Sequence, residues 1–374
     1  MELIEPQFLK SASPPPRLAF LDAVRGIAAV WVVLYHMTQM PAPHLATPMW
    51  GRYAENGHAG VMLFFVASAF SLCYTSRLHQ EGWIAFYIRR FFRIAPLFYA
   101  VLAFMLLRMW AVNGMTRPLN EVLDNVLFTF NIFPAHQWSI VPAGWTIGVE
   151  MIFYLIFPAL YLTSGNVWRA VTAMMLSIII ARVFENMLPR LVNDPETYWL
   201  LSFFHHLPTL VNGVVAFRLY ESLKEHSSKN DVGLALVTGA AVLYFALLDN
   251  RTALVEPYYW QGIIFGAFVV GLALSPTSIL VNRMTVFFGK ISYSTYLLHS
   301  PIIVLLMPMY TEIYSWPVAV SFKFLACTVL TLGALVPISY AAFRLIEQPG
   351  INWGRRIISR RIFASRVICP GTAE

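Results

Sequence analysis

The stretch LDAVRGIAAVWVVLYH, residues 21–36, decides the fold. With its flanks it forms an apolar run from Ala19 to Met37, enough helix to cross a hydrocarbon core of ~30 Å. Arg25 and His36 lie within it, eleven residues apart. A helix turns about 100° per residue, so eleven steps return nearly to the starting face, roughly 16 Å further along the axis. A guanidinium and an imidazole on one stripe of a membrane helix are costly to bury, and such residues mark functional sites. Singly, Arg25 could snorkel to an interface and His36 could hydrogen-bond a neighbouring helix. The shared face favours a site.

The rest of the chain has the same character. Hydrophobic residues make up 58% and charged residues 12%, with a mean hydropathy of +0.62. Soluble domains carry about 25% charged residues. Further apolar runs lie near Gly60–Thr75, Ile94–Val112, Trp145–Leu162, Val167–Phe184 and Trp199–Leu219. Four more follow near Val232–Leu248, Tyr258–Leu274, Ile291–Met309 and Pro317–Ile346. The reading is an all-α polytopic membrane protein of about ten transmembrane helices, because lipid offers backbone polar groups no partners.

Basic residues set the expected orientation. One set of connections carries Lys10, Arg17, Arg77, Arg89, Arg90, Arg93, Arg169, Arg218, Lys224, Lys229, Arg283 and Lys290. The C-terminal stretch with Arg355, Arg356, Arg360, Arg361 and Arg366 falls on that side too. The opposite side has Arg52, Arg117, Arg190 and Arg251. The positive-inside rule predicts that both termini are cytoplasmic, which an even number of spans requires. The net charge of +7 is then topogenic and no sign of nucleic-acid binding.

Other signals are quiet. The stretch to Pro16 does not read as a cleaved signal peptide, since no apolar core directly follows a basic start. Cys73, Cys327 and Cys369 are too far apart for a zinc or redox pair, and no metal is expected. There is no P-loop, dinucleotide fingerprint or Gly-x-Ser-x-Gly elbow. No repeat is visible to support an inverted-repeat transporter. The predicted organisation is a short segment over 1–17, a transmembrane domain over 18–349 and a basic tail over 350–374.

Candidate chemistry lies in four places. The connection Asn113–Gly144 brings Asn131, His136, Gln137 and Trp138 close to Trp145. Amide and aromatic groups suit a sugar's hydroxyls and faces, although Trp138 suits a membrane anchor better. Arg90 and Arg93 are three apart and share a helix face; with Arg25 they would make a fork-rich pocket for phosphate groups. Glu150 falls in the apolar run WTIGVEMIFYLIFP, where a carboxylate needs a partner, and His36 or an arginine is the economical choice. His299, in ISYSTYLLHSP, is another imidazole in an apolar run.

In this order, LDAVRGIAAVWVVLYH, GVMLFFVASAF (60–70), RFFRIAP (90–96), WTIGVEMIFYLIFP (145–158), ISYSTYLLHSP (291–301) and FRLIEQP (343–349) resemble the acyltransferase-3 family of membrane proteins. The resemblance runs from about Arg17 to Pro349. It implies ten-helix acyltransferases of the bacterial inner membrane that modify sugars of surface polysaccharides, peptidoglycan or glycolipids, commonly with acetyl groups from cytoplasmic acetyl-CoA. Met62, Ala69 and Met151 stand where the family often has an acidic residue, a glycine and a second acid. These departures bear on donor-pocket shape and acyl preference.

The expected reaction is O-acyl transfer from acyl-CoA to a hydroxyl of a carbohydrate or glycolipid acceptor. An alcohol needs a base near its oxygen, and imidazole titrates in the right range. His36 is the expected base or, alternatively, a transient acyl carrier, with Glu150 orienting it or stabilising its charged form. Arg25, Arg90 and Arg93 are expected to hold acyl-CoA, and Trp145 and His299 to contact the acceptor. No tightly bound cofactor is expected beyond this donor substrate. The alternative is a secondary transporter using the same His, Glu and Arg without acyl transfer.

Overall fold

A computed structural model describes residues 18–78, 82–248 and 257–368, and in these the apolar runs are helices with no strand among them. The segment 1–17 with Lys10 and Arg17, and also Arg251 and Cys369, lie outside the described residues. Among the described residues, ten helical stretches are long and apolar enough to cross a membrane. The protein is an integral membrane protein, and its described residues form helices and their connections.

The chain order is α1 (Ala19–Gln39), α2 (Arg52–Glu55), α3 (Ala59–Leu78), α4 (Gly82–Asn113), α5 (Leu119–Leu127), α6 (Trp145–Thr163), α7 (Val167–Met187) and α8 (Pro195–Leu201). There follow α9 (Phe203–Leu223), α10 (Lys229–Leu248), α11 (Pro257–Leu274), α12 (Arg283–Lys290), α13 (Ser292–Ser315), α14 (Val320–Ala342) and α15 (Gln348–Ile368). Helix α4 begins twelve residues before the apolar run at Ile94, so Arg89, Arg90 and Arg93 lie within it. Hydropathy alone stops at the charges, but the helix continues, with Arg90 and Arg93 facing a polar cleft. The sixth span is broken at Ser202, whose ψ of 151° is extended and whose side chain caps α9 by accepting from His205 N–H. The start of the basic tail is α15, docked on α4 with Trp353 edge-on to Phe92 at 5.4 Å.

Helices α1, α3, α9 and α11 form the centre, and Phe70 of α3 packs edge-on to Phe20 of α1 and Phe217 of α9 at 5.8 and 5.5 Å. Helix α7 instead exposes Trp168, Met175, Leu176, Ile179 and Val183, as a lipid-facing helix must. Two crossings position the site. At α1 and α12 the backbones meet where a Cβ on Gly26 would lie 2.2 Å from Thr285 O, and one on Gly289 would lie 1.8 Å from Asp22 O. Only glycine permits that approach, which fixes the turn of α1 that carries Arg25. At the end of α6, Arg218 donates from Nε to Ser164 O (2.6 Å) and from Nη2 to Tyr161 O (3.3 Å), satisfying carbonyls that the helix terminus leaves open.

Candidate functional site

A cleft of about 670 Å³, open at its mouth, runs between α1, α3, α4, α6 and α13. Arg25, Arg90 and Arg93 line it together with Glu150. Three helices therefore deliver the three predicted arginines and the predicted carboxylate to one space. Arg90 is oriented by Nη2–H donation to Thr75 Oγ1 (3.2 Å) and lies over the rings of Phe86 and Tyr154 at 5.8 and 6.0 Å. Its Nε is buried with no partner in the protein. Glu150 accepts from the Ser68 hydroxyl on α3. Val61, Phe64, Phe65, Ile94 and Ile147 supply apolar walls. Tyr293, also in the lining, donates to Ile94 O (2.8 Å) and pins α13 to α4. On the same helix Ser294 donates to Glu347 Oε2 (2.9 Å) in the closing FRLIEQP stretch.

Thr146 and Tyr296 bound the cleft on the side of α13 that leads to His299. Thr146 Oγ1–H donates to Tyr296 Oη at 2.9 Å, and Tyr296 donates on to Ala143 O at 3.4 Å. The Tyr296 ring touches His299, one turn further along α13, at 5.5 Å between centroids. His299 is fully buried, and its Nε2 lies 3.1 Å from Nδ1 of His36.

This network determines where the protons sit. His299 Nδ1 bonds to the Tyr296 carbonyl, and a carbonyl only accepts, so Nδ1 carries hydrogen and Nε2 keeps its lone pair. Ser300 Oγ lies 3.1 Å from that nitrogen. By the same logic His36 Nδ1, 3.0 Å from Val32 O, carries hydrogen and shares it between Val32 O and His299 Nε2. His36 Nε2 is then the unprotonated nitrogen. A second imidazole thus lies against the Nδ1 side of His36.

The partner assignments differ from those expected. Glu150 was expected to orient His36, but His299 does so, and Glu150 lies among the arginines. An arginine was the other partner expected for Glu150, and three line the same cleft, with Ser68 as its hydrogen-bond donor. Distance along α1 explains the separation: Arg25 and His36 share a face but are about three turns apart. Trp145 stands beside the cleft with its ring 5.0 Å from that of His206. In the preceding connection, His136 Nδ1 bonds Asp124 Oδ2 (2.6 Å), Asn131 Nδ2 donates to Leu201 O (2.8 Å), and Trp138 is exposed. Ser68 and Thr146 were not singled out in the sequence, because nothing local distinguishes one hydroxyl in an apolar helix. Tyr296 could have been found from its one-turn spacing to His299.

The acyltransferase-domain model of the acyltransferase-3 proteins matches residues 18–341. The chain belongs to the acyltransferase-3 family. It is 24% identical over 336 residues to O-acetyltransferase OatA of Staphylococcus aureus, covering 81% of this chain and 53% of that protein. It is also 24% identical over 391 residues to a Bacillus subtilis protein named "Putative peptidoglycan O-acetyltransferase YrhL", covering 93% of this chain and 57% of the relative. The chain thus spans little more than half the length of these curated relatives. No solved structure matches it.

Proposed function

We propose that the protein is a membrane O-acyltransferase that moves an acyl group, in the first place acetyl, from acyl-CoA to a sugar hydroxyl of a surface polysaccharide or glycolipid. One observation carries the reading. An arginine-lined cleft reaches Tyr296, which packs on His299, and His299 in turn meets the Nδ1 side of His36, leaving His36 Nε2 unprotonated. Coenzyme A is polyanionic at one end and slim at the other. Arg25, Arg90 and Arg93 suit its phosphates as forked donors, and the apolar walls suit its pantetheine arm. Glu150, held by Ser68, offsets part of the positive charge.

The reaction needs one proton acceptor. His36 Nε2 takes the proton of the acceptor hydroxyl as its oxygen attacks the thioester carbonyl. The C–O bond forms, the C–S bond breaks, and the departing thiolate takes the proton back from His36. In the intervening imidazolium, Nδ1–H is already directed at His299 Nε2 and Val32 O, so no group has to reorient when charge appears. The positive-inside bias assigns the arginine end to the cytoplasm of a bacterial inner membrane, with the His36 end outward.

The test is transfer in sealed vesicles of known orientation. Labelled acetyl-CoA supplied on the arginine side should label a sugar acceptor, and His36→Gln should abolish labelling while insertion and abundance hold. Normal labelling by His36→Gln would remove the base assignment. Solute flux without acetyl-CoA turnover would point to the transporter reading instead.

A further inference from the structure

Beside the cleft, behind Phe65 and Trp145, a second polar cluster is buried. His205 and His206 are each 2% exposed, with ring centroids 4.7 Å apart. His206 Nε2 bonds Leu200 O at 2.9 Å, but its Nδ1 and both nitrogens of His205 have no partner in the protein. One turn on, Thr209 Oγ1 is likewise buried and unpartnered. Across the α9–α11 contact, so is Gln261 Oε1. The two helices meet here: a Cβ on Gly262, next to Gln261, would lie 3.3 Å from Thr209 Oγ1, and the Tyr258 ring lies 4.6 Å from His205. Each unpartnered buried polar group costs about 1–3 kcal/mol, and native proteins keep few of them. Five such atoms in one place imply that something else supplies their hydrogen bonds.

The donor set indicates what. No charged residue occurs in 140–149, 198–212 or 257–266, the segments that surround the cluster. As a neutral ring, an imidazole offers one donor and one acceptor, a threonine hydroxyl both, and Gln261 Oε1 only an acceptor. A phosphate or carboxylate, which only accepts, would face repelling lone pairs. An ammonium, which only donates, would leave the N–H groups unused. A hydroxyl both donates and accepts, and satisfies all of them. Trp145 and Tyr258 are half-buried and offer ring faces for the C–H side of a sugar. The cluster also adjoins the reaction site: Phe65 lines the cleft and packs on His206 at 5.3 Å, and Trp145 precedes Thr146, which bonds Tyr296.

We propose that His205, His206, Thr209 and Gln261 form a binding subsite for a neutral polyhydroxyl ligand, the carbohydrate acceptor or its flanking residue. Only the word acceptor rests on the acyltransferase reading; the subsite itself rests on these side chains. The test is photo-crosslinking of the full-length purified protein with a neutral N-acetylhexosamine tetrasaccharide bearing a diazirine. An alkyl diazirine of equal size and a uronate tetrasaccharide serve as controls. Label should fall in peptides covering 198–212 or 257–266, be competed by unlabelled neutral tetrasaccharide and be weak with both controls. His205→Phe with Thr209→Val should cut labelling at least tenfold while the protein elutes as wild type. Gln261→Leu, on the other helix, should cut it severalfold if the double variant fails to fold. Label elsewhere, equal label from the alkyl probe, or labelling unchanged in the folded variants would overturn the subsite and leave buried water as the cluster's partner. Acyl transfer is read separately. Crosslinking without transfer would remove the enzymatic reading and keep the subsite, and transfer without crosslinking would do the reverse.

Discussion

The two ends of the site are built on opposite principles. The cleft gathers three arginines and a glutamate from three helices, so permanent charges stand among its polar groups. One turn along α13, the His36–His299 pair holds its geometry through two backbone carbonyls and a serine, all neutral. On the proposed function, the difference is a division of labour. A polyanion is gripped best by permanent charges in fork geometry. A proton is moved best by a group whose two states differ little in energy near neutrality. Had Glu150 sat against His36, its negative charge would have favoured the protonated ring, making it more basic but leaving less of it free to take a proton near neutrality. Thr146 and Tyr296 stand between the two regions and keep them apart.

The contrast can be tested in order of expected effect. His36→Gln should lower turnover by about 10²–10⁴-fold, the usual contribution of a positioned base, with the apparent affinity for acetyl-CoA unchanged. Steady-state kinetics with labelled donor would check both parts, and a large rise in KM would merge the two regions into one. His299→Ala should reduce kcat by roughly 10–100-fold, since a hydrogen bond to a charged partner is worth about 1.5–3 kcal/mol and Val32 O remains in place. Loss of this size without loss of the fold would identify His299 as the group that positions His36.

Arg25→Gln should act on the other region, raising the KM for acetyl-CoA about tenfold with kcat held, and added salt should weaken wild-type donor binding more than the variant's. A fall in kcat alone would place Arg25 with the dyad. The smallest effect belongs to the boundary. Tyr296→Phe keeps the ring against His299 but loses the bond to Thr146, which retains Ala143 O at 3.1 Å. Stability should fall by ~1 kcal/mol, read as a shift in thermal midpoint, with little change in kcat.

Much of this was legible in the chain. Ten apolar runs gave ten candidate spans, because the bilayer imposes a length and forbids unpaired backbone whatever the neighbours are. The facing of Arg25 and His36 followed from helical periodicity, and the motif order carried the family. Three things were not legible. The start of α4 ahead of its apolar run depended on a cleft supplied by other helices. The partners of His36 and Glu150 lie on α13 and α3, 263 and 82 residues away in sequence, and no local rule chooses between two carboxylate or imidazole candidates at such separations. The His205–His206 pair reads in sequence as two histidines in an apolar helix, and only the packing of α9 against α11 leaves their nitrogens without partners. Composition and periodicity are properties of one helix and its solvent, so the sequence alone determined the spans and their faces. Which face meets which is set by close packing among helices of similar hydropathy, and only the tertiary structure decided that.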